Sequence, residues 1–111
     1  MLTQEEIHSH KTNISANELV SQRSLLAKCL ADPTCFKILY VLSESKYACP
    51  SDLSEILNLS LPSISHQLAK LRQMGLVSTI RHGQVICYSL QNSSDTKLIQ
   101  VLISLMLRKD H

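Results

Sequence analysis

The sequence contains few of the residues that mark several classes of protein. Among 111 residues it has two glycines, three prolines, one phenylalanine and no tryptophan. Collagen-like chains and flexible linkers are rich in glycine and proline, so this composition excludes both. Because 44% of the residues are hydrophobic and only 18% are charged, we expect a single folded domain with its own core rather than a disordered chain. The scarcity of glycine also disfavours a sheet-rich barrel.

The sequence also lacks long apolar runs. The stretch from Ile99 to Leu107 is interrupted by Ser104 and is far shorter than the roughly 20 residues that span a bilayer. The first residues, Met-Leu-Thr-Gln-Glu-Glu, are acidic, whereas a signal peptide begins with basic residues and continues with an apolar run. We therefore expect a cytoplasmic protein.

The four cysteines, at positions 29, 35, 49 and 87, are irregularly spaced. In a reducing compartment they are not expected to form a disulfide framework, which leaves thiol chemistry or packing. Cys29 and Cys35 flank an Asp-Pro pair and could approach each other, but burial as small apolar side chains is the commoner role. In an alternating strand, Cys87 is predicted to face away from Ile86 and Tyr88.

Acidic residues are absent from one continuous third of the chain. Between positions 56 and 94 there is no Asp or Glu, although the formal net charge of the whole chain is only +2. The segment does carry cationic and titratable side chains: Lys70, Arg72, Arg81, His66 and His82. This one-signed segment favours an anionic partner.

Apolar periodicity and capping residues predict mainly helices with one small hairpin. Residues 1–13, which include His8 and His10, are predicted to be a flexible N-terminal arm, and residues 14–111 one domain. Ser15 and Glu18 form a capping-box pattern before the first helix, and prolines 33 and 50 suit the first positions of two later helices. The predicted helices are 15–31, 33–43, 50–57, 60–74 and 96–108, and the predicted strands are 76–80 and 85–90.

Two short helices, a tight turn and a following hairpin together describe a winged helix-turn-helix. The second helix of this motif enters the major groove of DNA, so its outer face needs small or hydrogen-bonding side chains and no carboxylates. Candidate groove contacts on that face are Ser63, Ser65, His66, Gln67 and Lys70, with Arg81 or His82 of the wing reaching phosphate or the minor groove. The alternative is a winged helix used only for protein interactions. Motifs typical of enzymes, such as phosphate-binding glycine loops, are missing.

The last predicted helix is apolar around much of its circumference. Leu98, Ile99, Val101, Leu102 and Leu105 cannot all face the core of so small a domain. Such a helix usually meets a second subunit, so we expect a homodimer formed through this helix and the first one.

The sequence resembles the ArsR/SmtB family of metalloregulatory repressors over roughly residues 18–107. The resemblance rests on Leu-Ala-Asp-Pro-Thr at 30–34, Asp-Leu at 52–53, Ser-Ile-Ser-His-Gln-Leu at 63–68, Leu-Arg at 71–72, Gly-Leu-Val at 75–77, Gly83, and Tyr-Ser-Leu at 88–90. It implies a homodimer that occupies operator DNA and leaves it when an inducer, often a transition or thiophilic metal ion, binds.

The resemblance also implies a metal site. In some relatives a Cys near the start of the third helix and an Asp three residues later act with Cys or His from the other subunit's arm. Cys49 and Asp52 match that pair, and His8 and His10 would complete a nitrogen, sulfur and oxygen set suited to zinc. The second Cys of arsenic, cadmium and lead sensors is replaced by Ser51. Two alternatives remain: Asp52 as an ordinary helix-start acid beside a solvated arm, and a redox-, persulfide- or arsenic-responsive repressor that uses its cysteines.

Overall fold

The computed structural model describes residues 1–108 and divides into two compact units, Met1–Asp32 and Pro33–His111. The first unit contains α1 (Gln4–Ala16) and α2 (Glu18–Ala31). The second contains, in chain order, α3 (Pro33–Glu44), α4 (Pro50–Leu57), α5 (Leu61–Gln73), β1 (Val77–His82), β2 (Val85–Leu90) and α6 (Ser94–Met106).

The segment predicted to be a flexible arm is helical. Thr3 and Glu6 form a capping box at the start of α1, in which the Thr3 hydroxyl accepts the Glu6 N–H at 3.1 Å and the Glu6 carboxylate accepts the Thr3 N–H at 3.1 Å. The carboxylate also accepts the Thr3 hydroxyl at 3.0 Å, and the hydrogen bonds that it accepts from the Thr3 N–H and the Thr3 hydroxyl lower the pKa of Glu6. A Thr followed three residues later by Glu is a recognised helix-start pattern, so the sequence carried this signal. No side chain of α1 is buried, which explains why an apolar period did not reveal the helix.

The start of α2 also differs from the prediction. Asn17, rather than Ser15, caps the helix, and its side chain accepts the Leu19 N–H at 3.0 Å. Asn17 also ends α1. A single residue therefore ends one helix and begins the next. The division of the chain into a flexible arm and a domain at residue 13 stays a prediction; residues 109–111 of that domain lie outside the described part.

The second unit is organised around α3. This helix packs against α4, α5, α6 and β2, while α4 packs against α5. Its inner side chains are completely or almost completely buried, as are those facing it: Cys35, Ile38, Leu39, Leu42, Leu53, Ile64, Leu68, Leu71 and Ile99. The core thus holds α5 against the body of the unit by one face and leaves the other face outside.

The predicted fold class, mainly helical with a small hairpin arranged as a winged helix-turn-helix, is confirmed. Over the second unit the helices begin and end within two residues of the predicted bounds. The strand β1 runs to His82, two residues farther than predicted, and pairs antiparallel with β2 from Val77 opposite Leu90 to His82 opposite Val85. In residues 1–108, no helix combines the length and the apolar character needed to cross a membrane.

Candidate nucleic-acid interface

The turn between α4 and α5 is closed by local hydrogen bonds. Asn58 adopts the left-handed conformation, with φ 54° and ψ 48°, which Asn tolerates better than most residues. The Leu59 N–H donates to the Ser54 carbonyl at 3.1 Å, and the Ser54 hydroxyl donates to the Leu59 carbonyl. Ser60 then caps α5 by accepting the Ser63 N–H at 3.3 Å. The turn therefore fixes the direction in which α5 leaves α4.

The two faces of α5 differ sharply in exposure. Ile64, Leu68 and Leu71 are fully buried in the core. Ser65, His66 and Lys70 are exposed on the outer side. There is no acidic residue in the first turn, and Lys70 and Arg72 lie in the last turn. This outer face presents hydroxyl, imidazole and ammonium groups without a carboxylate, as a helix entering a DNA groove requires.

Ser63 and Gln67, the two other residues predicted to contact DNA from α5, are half-buried. The thiol of buried Cys35 on α3 donates to the Gln67 Oε1 at 3.0 Å. Gln67 therefore links α5 to the core, an arrangement that a sequence pattern alone does not show. Its predicted role at a base edge stays a prediction.

Both predicted wing contacts on the hairpin, Arg81 and His82, are exposed. Arg81 donates from Nε to the carbonyl of Gly83 at 3.1 Å, which stabilises the turn. Gly83 has φ +62°, a left-handed conformation that favours glycine. The imidazole of His82 stacks on the ring of Tyr47, with 4.1 Å between ring centroids and 27° between planes.

The segment just before α4 is paired with the wing. Ala48 and Tyr88 form an antiparallel bridge, with N–O distances of 2.9 and 2.8 Å. The next residues along, Cys49 and Cys87, are joined by a disulfide with a Cα–Cα distance of 4.1 Å. The expectation that the cysteines form no disulfide was wrong. A non-hydrogen-bonded pair in an antiparallel ladder brings the side chains close together, and the bridge at Ala48 that creates this position joins residues far apart in sequence.

The other two cysteines, Cys29 and Cys35, are buried thiols. Their burial agrees with the interpretation that they pack as small apolar side chains. Cys87 is also buried, between exposed Ile86 and half-buried Tyr88, so its predicted orientation within the strand is confirmed.

Within this chain, two of the four predicted metal ligands make other interactions, and the two histidines lie on α1. Cys49 is in the disulfide, and the carboxylate of Asp52 accepts the Cys49 N–H at 3.0 Å as part of the α4 capping box. His8 and His10 lie on α1 two residues apart, a spacing at which helical side chains do not face each other. Within residues 1–108, no three His, Cys, Asp or Glu side chains are grouped so as to hold a metal ion.

In the disulfide-bonded chain these residues do not fit one metal ion, because Cys49 has no thiolate to offer. The predicted site combines two subunits and a reduced Cys49, so it stays a prediction for the reduced dimer.

Sequence reasoning missed two residues that support the candidate interface. Tyr47 was assigned no role, although it supports His82 of the wing. For Cys87 both packing and thiol chemistry were left open, and its bond to Cys49 was not foreseen. No local pattern marks either residue; the signal for Cys87 would have been a recognised pairing between the segment before α4 and β2.

Comparison with known proteins places this interface in context. A family described as "Bacterial regulatory protein, arsR family" matches residues 32–79. The chain is 31% identical over 98 residues to the "Cadmium resistance transcriptional regulatory protein CadC homolog" of Staphylococcus aureus, covering 85% of this chain and 81% of that protein. It is 41% identical over 80 residues to the "Transcriptional repressor SdpR" of Bacillus subtilis (strain 168), covering 72% and 83%.

A solved structure shows the same fold. HlyU from Vibrio cholerae N16961 superimposes with a TM-score of 0.73 at 28% identity, covering 83% of this chain and 99% of that chain. The region matched by the arsR family, residues 32–79, includes the turn between α4 and α5, α5 itself and the start of the hairpin.

Proposed function

The chain belongs to the arsR family of bacterial regulatory proteins, and we propose that it is a homodimeric repressor that leaves a two-fold-symmetric operator when a metal or metalloid ion binds. Its place in the family makes it a DNA-binding transcriptional regulator rather than an enzyme. The symmetry of the site, the residues that contact DNA and the inducer are the parts that we propose.

One observation carries the DNA contact: the outer face of α5 is exposed, free of carboxylates and followed directly by the hairpin. In a winged helix-turn-helix this helix lies in the major groove, and two subunits read half-sites about 10 base pairs apart. We assign base contacts to Ser63, Ser65, His66 and Gln67, because hydroxyl, imidazole and amide groups supply donors and acceptors for base edges. Lys70 meets phosphate, and Arg81 or His82 reaches phosphate or the minor groove.

The phosphate contact is tested by Lys70→Ala. Loss of one phosphate contact weakens binding to all DNA sequences alike and reduces the slope of log affinity against log salt by about 1 for each subunit. Fluorescence anisotropy with a specific duplex and a random duplex, at several salt concentrations, measures both quantities. Lys37→Ala is the matched control, because Lys37 is an exposed lysine of α3. An unchanged slope for Lys70→Ala would show that this face of α5 does not meet DNA.

Specificity is tested by Ser65→Ala. Ser65 is exposed, and the substitution removes its hydroxyl without changing the charge. The free energy of binding to the specific duplex therefore weakens by about 0.5–1.5 kcal/mol, the value of one hydrogen bond. Affinity for random DNA stays the same. An equal loss on both duplexes would assign Ser65 to the DNA backbone. A winged helix that serves only protein interactions would bind neither duplex.

The inducer is proposed to be a metal or metalloid ion such as zinc. Support comes from the cadmium-resistance name of one relative and from the match of Cys49 and Asp52 to a family site. The proposed ligands are Cys49 and Asp52 of one subunit with His8 and His10 of the other, a set suited to zinc or similar ions. When bound, the ion would supply a link between subunits that holds these side chains together.

Titration of zinc, cadmium, lead and arsenite into the reduced protein, with DNA affinity as the readout, tests this proposal. An inducer lowers the affinity 5- to 150-fold for a coupling of about 1 to 3 kcal/mol. Cys49→Ser, and separately His8→Ala with His10→Ala, should abolish this release and leave DNA binding without metal intact. Cys35→Ser is the control. If release is lost in Cys35→Ser and kept in Cys49→Ser, the sensor includes the buried thiol of α3.

A thiol-based response is the second candidate for the inducing signal. The Cys49–Cys87 disulfide favours it, because the sulfur of Cys49, a proposed metal ligand, is bonded to a second cysteine.

A further inference from the structure

Three consecutive residues before α4 are joined to the wing. Tyr47 stacks on His82, Ala48 pairs with Tyr88, and Cys49 is bonded to Cys87. The first two connections do not depend on redox state, since they are a ring contact and a pair of backbone hydrogen bonds. The third exists only when both sulfur atoms are oxidised. One covalent and reversible bond therefore reinforces a contact between the wing and the first helix of the helix-turn-helix.

The two sulfur atoms differ in access to solvent. Cys49 is half-buried and precedes the first residue of α4, whereas Cys87 is fully buried on β2. Cys49 is thus placed to react with a small oxidant, and Cys87 is placed to react with Cys49.

We propose that Cys49 and Cys87 are a redox-sensitive pair that a hydroperoxide oxidises, and that the disulfide strengthens DNA binding by fixing the wing to the start of α4. This inference rests on the proposed function, because its readout is affinity for DNA.

The chemistry balances in two steps. The thiolate of Cys49 attacks one oxygen of the hydroperoxide and breaks the O–O bond, which gives a sulfenic acid on Cys49 and, after protonation, an alcohol or water. The sulfur of Cys87 then attacks the Cys49 Sγ and forms the S–S bond. Hydroxide leaves and takes the proton of the Cys87 thiol as water. The sulfur pair loses two electrons and the hydroperoxide gains them.

The effect on DNA binding follows from what the disulfide encloses. The bonded residues are 38 positions apart in sequence, and the chain between them forms α4, the turn, α5 and β1. The disulfide holds α5 and the wing in their relative positions before DNA binds. Less conformational entropy is therefore lost on binding. The ring contact and the backbone bridge remain after reduction, so the reduced protein keeps a weaker form of the same arrangement.

Oxidation also removes Cys49 from the proposed metal site. A sulfur atom in a disulfide is not a thiolate ligand, so the disulfide and a metal ion compete for Cys49. The oxidised repressor therefore stays on DNA when metal is added, whereas the reduced repressor leaves.

The first measurement is formation of the bond. Reduced full-length protein is treated with a small excess of tert-butyl hydroperoxide, then its free thiols are alkylated and its peptides are mapped by mass spectrometry. We expect Cys49 and Cys87 to be linked, with Cys29 and Cys35 alkylated after unfolding, and dithiothreitol to reverse the link. Linkage of another pair, or oxidation of Cys49 without linkage to Cys87, overturns the proposal.

The second measurement is affinity for a duplex selected from a random pool, by fluorescence anisotropy. Oxidised protein should bind it at least about fivefold more tightly than reduced protein, the lower end of ordinary coupling between sites. Cys49→Ser and Cys87→Ala should each bind as the reduced protein does, before and after oxidation, while Cys35→Ala keeps the difference. Circular dichroism shows which variants are folded, and Cys49→Ser retains the test if Cys87→Ala is not.

The outcomes separate the two proposals. If neither redox form selects a duplex, the proposed function fails. If both forms bind the duplex with equal affinity although the disulfide forms, the proposed function stands and the redox inference is overturned. Weaker binding by the oxidised form overturns it as well.

Discussion

Some residues of α5 face outward and others contact the core, and the sequence does not show this for every residue. Ser65, His66 and Lys70 face outward, while Gln67 is half-buried and accepts a hydrogen bond from the Cys35 thiol. Apolar residues recur at helical spacing at positions 64, 68 and 71, and the face that they form is buried. Gln67 borders that face, and side chains at a border can point either way. Their direction is decided by a partner on another helix.

We predict that Gln67→Ala destabilises the fold. The substitution leaves the buried Cys35 thiol without this acceptor, so the free energy of unfolding falls by about 1 kcal/mol, a typical value for a hydrogen bond. Urea unfolding at one protein concentration measures the change. Gln73→Ala, at an exposed position of the same helix, should have no effect. Equal stability of the two variants would show that Gln67 acts only outside the core.

At the scale of elements, the turn between α4 and α5 depends on one residue in the left-handed conformation. Asn58 has positive φ, and it is the one residue other than glycine with this property in the described part of the chain. A side chain branching from Cβ is disfavoured there, whereas glycine is not. The angle between the two helices, and hence the presentation of α5, depends on this residue keeping its conformation.

We predict different outcomes for two substitutions of Asn58. Asn58→Ala should lower the free energy of unfolding by about 1 kcal/mol, because the Cβ of alanine is disfavoured in the left-handed conformation, which Asn tolerates better and glycine adopts freely. Asn58→Gly should leave stability nearly unchanged. Urea unfolding of both variants at the same concentration tests this. A loss for glycine as large as that for alanine would mean that the amide side chain, not the backbone conformation, stabilises the turn.

The elements differ in how well their sequences predicted them. Those of the second unit have an apolar face or a clear start signal, such as Pro50 in α4 and Ser60 before α5, and their bounds were predicted within two residues. Helix α1 buries no side chain, so only its capping box could reveal it. The contact between Cys49 and Cys87 was not predictable from either element, because it depends on the bridge between Ala48 and Tyr88.

At the scale of the whole molecule, α6 has more apolar surface than the second unit covers. Ile99 and Ile103 are buried in that unit. Leu98, Val101, Leu105 and Met106 stay between 39% and 65% exposed. Water contact with this much apolar surface is unfavourable, and a second copy of the chain would remove it. This is the physical basis of the proposed homodimer, and the sequence showed it as an apolar period wider than one face.

We predict that Leu105→Glu disrupts the dimer. A carboxylate placed in an apolar interface must lose its hydration without gaining a partner, which strongly opposes association. Sedimentation velocity at micromolar concentration should show a monomer for the variant and a dimer for the unchanged protein. Because a monomer engages one half-site only, affinity for the two-fold-symmetric duplex should fall about 100-fold or more. Ile56→Glu places the same charge on α4 at a side chain that is equally exposed, 58% for both residues, and it should remain a dimer. If Leu105→Glu sediments as a dimer and binds DNA normally, the exposed face of α6 lies outside the interface, and the two recognition helices must be held at their spacing by another surface of the chain.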